Sequence, residues 1–139
     1  MTRFVLDASV ALRWFLSNPV PAYARRVRRL MLDGARAVVP ALWHLEMANG
    51  LAVAERRGIV TAADADQSLT DIESLLGQAI ESNPALVSVP QAQTTARTFH
   101  LSAYDAVYLD VARHERLPLA TLDDDLRTAA TRAGVALIR

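Results

Sequence analysis

The sequence predicts a mainly parallel β-sheet covered by helices on both faces, a three-layer α/β/α class, and three observations predict it. Its 139 residues match the commonest size of a single domain. Hydrophobic residues make up 52% of the chain against 22% charged, enough to bury a core and too apolar for a disordered chain. Short apolar runs alternate with segments of helical period along the whole length, the pattern of strands joined by crossover helices. One domain over residues 1–139, with a sheet of four to five short strands, is the expectation.

The elements run in order. Arg3 to Leu6 is a short apolar run that stops at Asp7 and feeds a helix over Ala8 to Leu16. Pro19 and Pro21 suit the opening of a second helix through Tyr23, Val27, Leu30 and Met31, which Asp33-Gly34 ends. Ala37-Val38-Val39 reads as the next strand. Pro40 then opens a long helix to Arg56-Arg57-Gly58, and Thr61 opens another through Ile72 and Leu76 that breaks at Asn83-Pro84. Leu86 to Val89 reads as a third strand, Gln91 to Phe99 and Ala103 to His114 as helices, and Pro118 to Thr121 as a strand. A helix over Asp123 to Arg132 and a closing strand over Val135 to Ile138 complete the chain.

Composition excludes several chemistries. Without cysteine there is no disulfide framework, no thiolate zinc site and no cysteine nucleophile. Every basic residue is arginine, so mechanisms that require a lysine are excluded too. Formal net charge is +0, and the charge that stands out is local: Arg25, Arg26, Arg28 and Arg29 fall in one short segment. Asp7 and Arg13 interrupt what would be the apolar stretch of a signal peptide, and no apolar run approaches the ~20 residues of a membrane helix. A soluble, cytoplasmic protein is the expectation.

In a parallel sheet, ligands bind beyond the carboxyl ends of the strands, near the point where strand order reverses. Asp7 follows the first strand and Asp123 the strand ending at Thr121. Asp105 lies in the first turn of the helix carrying Ala103, Val107 and Val111, and Glu46 lies in the helix opened by Pro40. Helix capping competes as an explanation. Asp7 suits an N-cap, Ser102-Ala103-Tyr104-Asp105 has capping-box spacing, and Asp123, Asp124 and Asp125 suit the positive end of a helix. Glu46 resists it, because Leu42, Glu46, Asn49 and Val53 form a stripe that reads as buried, and a buried carboxylate needs a partner. With no histidine or cysteine cluster at hand, a hard divalent cation is the economical partner, and Mg²⁺ takes only one or two direct carboxylates. His44, His100 and His114 read as ordinary helix-face residues. Leu12, Trp14, Phe15 and Leu16 supply more apolar surface than a short helix buries on one face; the aromatics are either core or a partner-helix groove.

Four segments in order, Val5-Leu6-Asp7-Ala8-Ser9, Pro40 to Asn49, Leu101 to Leu109, and Leu119-Ala120-Thr121-Leu122-Asp123, closely resemble the successive signatures of PIN-domain ribonucleases. In size and spacing the chain resembles the VapC-type toxins of toxin–antitoxin modules. The resemblance implies a PIN-like fold and an endoribonuclease whose Asp7, Glu46, Asp105 and Asp123 are catalytic and hold Mg²⁺ or Mn²⁺. It gives supporting roles to Ser9, Asn49 and Thr121, with Asp125 as an auxiliary to Asp123. It also implies an RNA substrate, a small cognate antitoxin, for which Trp14 and Phe15 are the candidate contacts, and a homodimer. Two other classes compete: an aspartate-based phosphotransfer or receiver protein, which the absence of lysine disfavours, and a non-catalytic binding module, which Glu46 disfavours.

Overall fold

The first strand, β1 (Arg3–Leu6), lies in the interior of the sheet because Phe4, Val5 and Leu6 have no polar atom to offer water; all three are fully buried in a computed structural model that describes residues 2–139. Around it run α1 (Ala8–Leu16), α2 (Ala22–Leu32), β2 (Arg36–Val39), α3 (Ala41–Arg56), α4 (Ala62–Gln78), β3 (Ile80–Ser82), α5 (Val89–Phe99), α6 (Ala103–Glu115), β4 (Leu119–Ala120) and α7 (Asp124–Arg132). The sheet has the order β3-β2-β1-β4 and every pairing is parallel, with helices on both faces. The order reverses at β1, which sends α1 and α2 one way to β2 and receives β4 on its other edge. Side chains just beyond β1 and β4 are thereby gathered at one edge of the sheet.

Most elements fall where the residue pattern puts them, with three corrections. Leu86 to Val89 is not a strand: Leu86 is 94% exposed, Ser88 is the N-cap of α5 and Val89 is its first residue. The third strand is instead Ile80–Ser82, paired with β2 through Ala37 and Ile80, Val38 and Glu81, and Val39 and Ser82. The closing strand over Val135 to Ile138 shrinks to a single bridge between Leu119 and Leu137, because β4 is only two residues long.

Close approach of α1 and α3 shapes the edge where the acids gather. A Cβ at Gly50 would fall 2.6 Å from Leu12 Cδ2, so glycine leaves room on α3 for the Leu12 side chain of α1. Glu46 lies one turn before Gly50 on that face of α3, which brings its carboxylate toward the start of α1, where Asp7 sits. The buried stripe of α3 is Trp43, Met47, Leu51 and Ala54, so Glu46 borders the core rather than facing it and Asn49 is exposed.

Candidate active site

Asp7 ends β1 and occupies the N-cap position of α1, yet its side chain accepts no cap hydrogen bond from that helix. Its carboxylate is instead held by two hydroxyls. Ser9 Oγ and Thr121 Oγ1 each donate to Asp7 Oδ2 at 2.6 Å, so no side-chain donor is spent on Oδ1. The hydroxyls are fixed in turn by main-chain donors: Leu122 N donates to Ser9 Oγ at 3.0 Å and Asp123 N to Thr121 Oγ1 at 3.0 Å. Asp7 is only 4% exposed, and burial pushes its carboxyl above the ordinary aspartate value despite these hydrogen bonds, with the charge of Asp123 adding to the rise.

Glu46 is half-buried. Burial raises its carboxyl, the Tyr108 hydroxyl partly offsets the rise, and the charge of Asp7 adds to it. Tyr108 OH donates to Glu46 Oε1 at 2.6 Å and accepts from Ala8 N at 3.4 Å, tying α3 to the first turn of α1. Tyr108 is itself completely buried and its hydroxyl is pushed far up, chiefly by burial, so it stays a donor at any ordinary pH. Sequence reasoning missed this residue. The available signal was its position three residues after Asp105, on the same helix face.

Asp105 is pushed up to about 6 by burial first, then by the charges of Asp123, Asp7 and Glu46, against a small opposing contribution from the Ser102 hydroxyl. The charges of the other three predicted acids therefore all reach Asp105. Ser102 caps α6 by accepting from Asp105 N at 3.1 Å, but the carboxylate does not return the bond that a full capping box would make. Asp123 does cap, its Oδ2 accepting from Leu126 N at 2.9 Å. Asp124 and Asp125 are exposed in the first turn of α7, and theirs are not among the charges acting on Asp7, Glu46 or Asp105. Asp123 is thus the acid of this turn whose charge reaches Asp7 and Asp105, while Asp125, the expected auxiliary, faces solvent. Asn49, exposed, makes no hydrogen bond to the acids among the described residues.

Of the two readings open for Trp14, core or partner groove, its surroundings are those of core. It is 9% exposed, its indole N–H donates to Ala24 O at 2.8 Å, and it packs edge-on to Phe15, so it is core between α1 and α2. Phe15 remains half-buried beside it.

The ion pairs among the described residues are Arg3 with Glu81, Arg29 with Asp33, and Arg36 with Glu81, so none neutralises the four acids. No three His, Asp or Glu side chains among the described residues close into a cage on their own. The donor set is all oxygen, which suits Mg²⁺ or Mn²⁺ and would not select zinc. A groove of about 640 Å³ is lined by Pro40, Leu86, Val87, Gln91, Val111 and His114 and holds none of the acids. Of the four acids, Asp7 is buried and Glu46, Asp105 and Asp123 are partly exposed.

The family model of the PIN domain matches residues 4–131. Among solved structures, the chain is similar to PAE2754 from Pyrobaculum aerophilum, with 23% identity and a TM-score of 0.68 over 92% of this chain and 84% of that one. It is similar to FitAcB from Neisseria gonorrhoeae, with 19% identity and a TM-score of 0.67 over 98% and 96%. A domain of a functionally unknown protein from Methanocaldococcus jannaschii has 16% identity and a TM-score of 0.57 over 99% and 90%. No curated protein sequence matches.

Proposed function

The chain belongs to the PIN domain family, and from that premise we propose that it is a divalent-cation-dependent endoribonuclease, one PIN domain over residues 1–139, acting as the toxin of a toxin–antitoxin pair. The observation that carries the reading is the repulsion that the carboxylates of Asp123, Asp7 and Glu46 exert on Asp105, met by no ion pair among the described residues. A scaffold has no use for that repulsion. Two of the acids are moreover fixed by hydrogen bonds that orient them without neutralising them.

Asp7, Glu46, Asp105 and Asp123 would hold Mg²⁺ or Mn²⁺, which when bound supplies positive charge for the scissile phosphate and acidifies a water. The protein's own groups do the rest. Ser9 and Thr121 hold Asp7 through one of its oxygens, and Tyr108 holds one oxygen of Glu46. Asp105 orients the attacking water and takes its proton as the water oxygen bonds to phosphorus and the P–O bond to the leaving sugar oxygen breaks, that oxygen taking a proton from solvent.

The partner in this reading is a small antitoxin that places an arginine or lysine among the acids where the cation would sit, with Phe15 rather than the buried Trp14 as its aromatic contact. A homodimer and a cytoplasmic location belong to the same proposal. Among the described residues no helix is long and apolar enough to cross a membrane.

The test is cleavage of purified cellular RNA, with ends mapped, in chelator and after adding back Mg²⁺. Cleavage that returns with the ion and is absent in Asp7→Asn supports the reading. Equal cleavage in chelator, or by the variant, refutes it.

A further inference from the structure

The chain is neutral overall, but two of its helices are not. α2 carries Arg25, Arg26, Arg28 and Arg29 and no acid along its whole length, whereas α4 carries Asp64, Asp66, Asp71 and Glu73 and no base. At 3.6 residues per turn the four arginines span an arc of roughly 160° on one side of α2. All four are exposed, while Ala24, Val27 and Met31 bury the opposite side against the core. Of the arginines outside α2, Arg3 and Arg36 share Glu81. Of the α2 set only Arg29 has an acidic partner among the described residues, Asp33 at 3.7 Å, with both side chains well exposed, a contact of little worth.

This face is physically continuous with the acids. Tyr23, in the first turn of α2, lies under two guanidinium groups, Arg26 at 5.6 Å and Arg127 at 5.2 Å from its ring centroid. Arg127 in turn donates to Thr121 O at 2.8 Å, and Thr121 is the residue whose hydroxyl holds Asp7. A path of arginine, tyrosine and arginine therefore leads from the exposed face of α2 to the edge where the carboxylates lie.

We propose that the arginine face of α2 is a docking surface for the phosphate backbone of RNA, holding the strand by its charge while the acids act on one phosphodiester beyond it. Guanidinium forks pair bidentately with phosphate oxygens without reading bases, so the surface supplies affinity and register rather than sequence choice. A membrane surface fits poorly, because the apolar side of α2 is packed into the core and has nothing to insert. The inference rests on the ribonuclease reading for its ligand class.

The test measures binding of a fluorescein-labelled, mixed-sequence single-stranded RNA across a salt series, with Asp7→Asn as the background so that the probe stays intact. The variant Arg25→Gln/Arg26→Gln/Arg28→Gln/Arg29→Gln is compared with a four-lysine version that keeps the charge and with Arg56→Gln/Arg57→Gln at the end of α3. Neutralisation should weaken binding about tenfold or more at low salt and flatten the plot of log Kd against log salt by roughly 0.7 for each phosphate no longer paired. The lysine version should recover most of the slope, and the α3 pair should change neither quantity. RNA bound with an unchanged slope by the glutamine variant overturns this inference and leaves the ribonuclease reading standing. A parent that binds no RNA at any salt overturns both. An acidic protein held through α2 while RNA binding is untouched overturns the choice of partner.

Discussion

Two helices of this chain begin with the same local sequence pattern and use it differently. At α4, Thr61-Ala62-Ala63-Asp64 makes a complete capping box: Thr61 Oγ1 accepts from Asp64 N at 3.1 Å, and Asp64 Oδ2 accepts from Thr61 N at 3.2 Å. At α6, Ser102-Ala103-Tyr104-Asp105 makes only the first half, with Ser102 Oγ accepting from Asp105 N at 3.1 Å. The local rule is satisfied in both turns as far as the hydroxyl goes. What differs is where the carboxylate is spent. Asp64 returns to its own helix, whereas Asp105 faces the charges of Asp123, Asp7 and Glu46. A carboxylate that forgoes a stabilising local bond in order to sit among like charges is one whose position suits a ligand better than it suits the empty fold.

The largest expected difference between the two turns is catalytic. Asp105→Asn should lower Mg²⁺-dependent RNA cleavage by about 100-fold or more, on the scale of losing one charged group that acts at the transition state, while Asp64→Asn should leave it unchanged. An intermediate effect is expected at Tyr108→Phe, which keeps the ring but leaves Glu46 Oε1 without its donor and Ala8 N without its acceptor. By analogy with partners that orient metal ligands, it should cost roughly 10- to 100-fold in apparent affinity for Mg²⁺, read as the concentration that gives half-maximal cleavage.

Stability should move in opposite directions at the two turns. Thr61→Ala removes a cap and should cost about 1 kcal/mol in chelator, by thermal or urea unfolding. Asp105→Asn removes repulsion and a half-buried charge, so under the same conditions it should raise the melting temperature. The carboxyl of Asp105 is at about 6 in the folded chain against 3.8 ordinarily, so the native state binds more protons between those values. Stability of the metal-free protein should therefore decline as pH rises from about 4 through about 6, with the full penalty present above that window. The advantage of Asp105→Asn over the wild type should be larger at about pH 7.5 than at about pH 4. An advantage that is flat across this range contradicts the placement of Asp105 among the other acids.

Much of this is legible in the residues, and the failures have physical causes. Asp7 and Asp123 can be placed because each ends an apolar run, and parallel sheets put such positions at one edge. Strand Ile80–Ser82 cannot, since only Ile80 is buried and its extended form is set by pairing with β2. Conversely, Leu86 and Val87 have strand-like side chains but no neighbouring strand to pair with, and propensity without pairing leaves them as exposed loop. The buried stripe of α3 runs through Met47, one residue out of phase with the stripe that the pattern suggests through Glu46, because the helix is apolar over much of its surface. Tyr108 is hidden for a different reason. A buried tyrosine looks like core until the atom its hydroxyl reaches, 62 positions away in the chain, is known.

Direct measurement of Mn²⁺ binding, by calorimetry or by the loss of the free-ion paramagnetic resonance signal, probes the cation site without requiring RNA or turnover. Wild type and Asp64→Asn should bind the ion alike, whereas Asp105→Asn and Asp7→Asn should bind at least about tenfold more weakly. Equal affinity in all four proteins, or a loss in Asp64→Asn matching that in Asp105→Asn, would contradict the assignment of the carboxylate released from the α6 turn to a cation site.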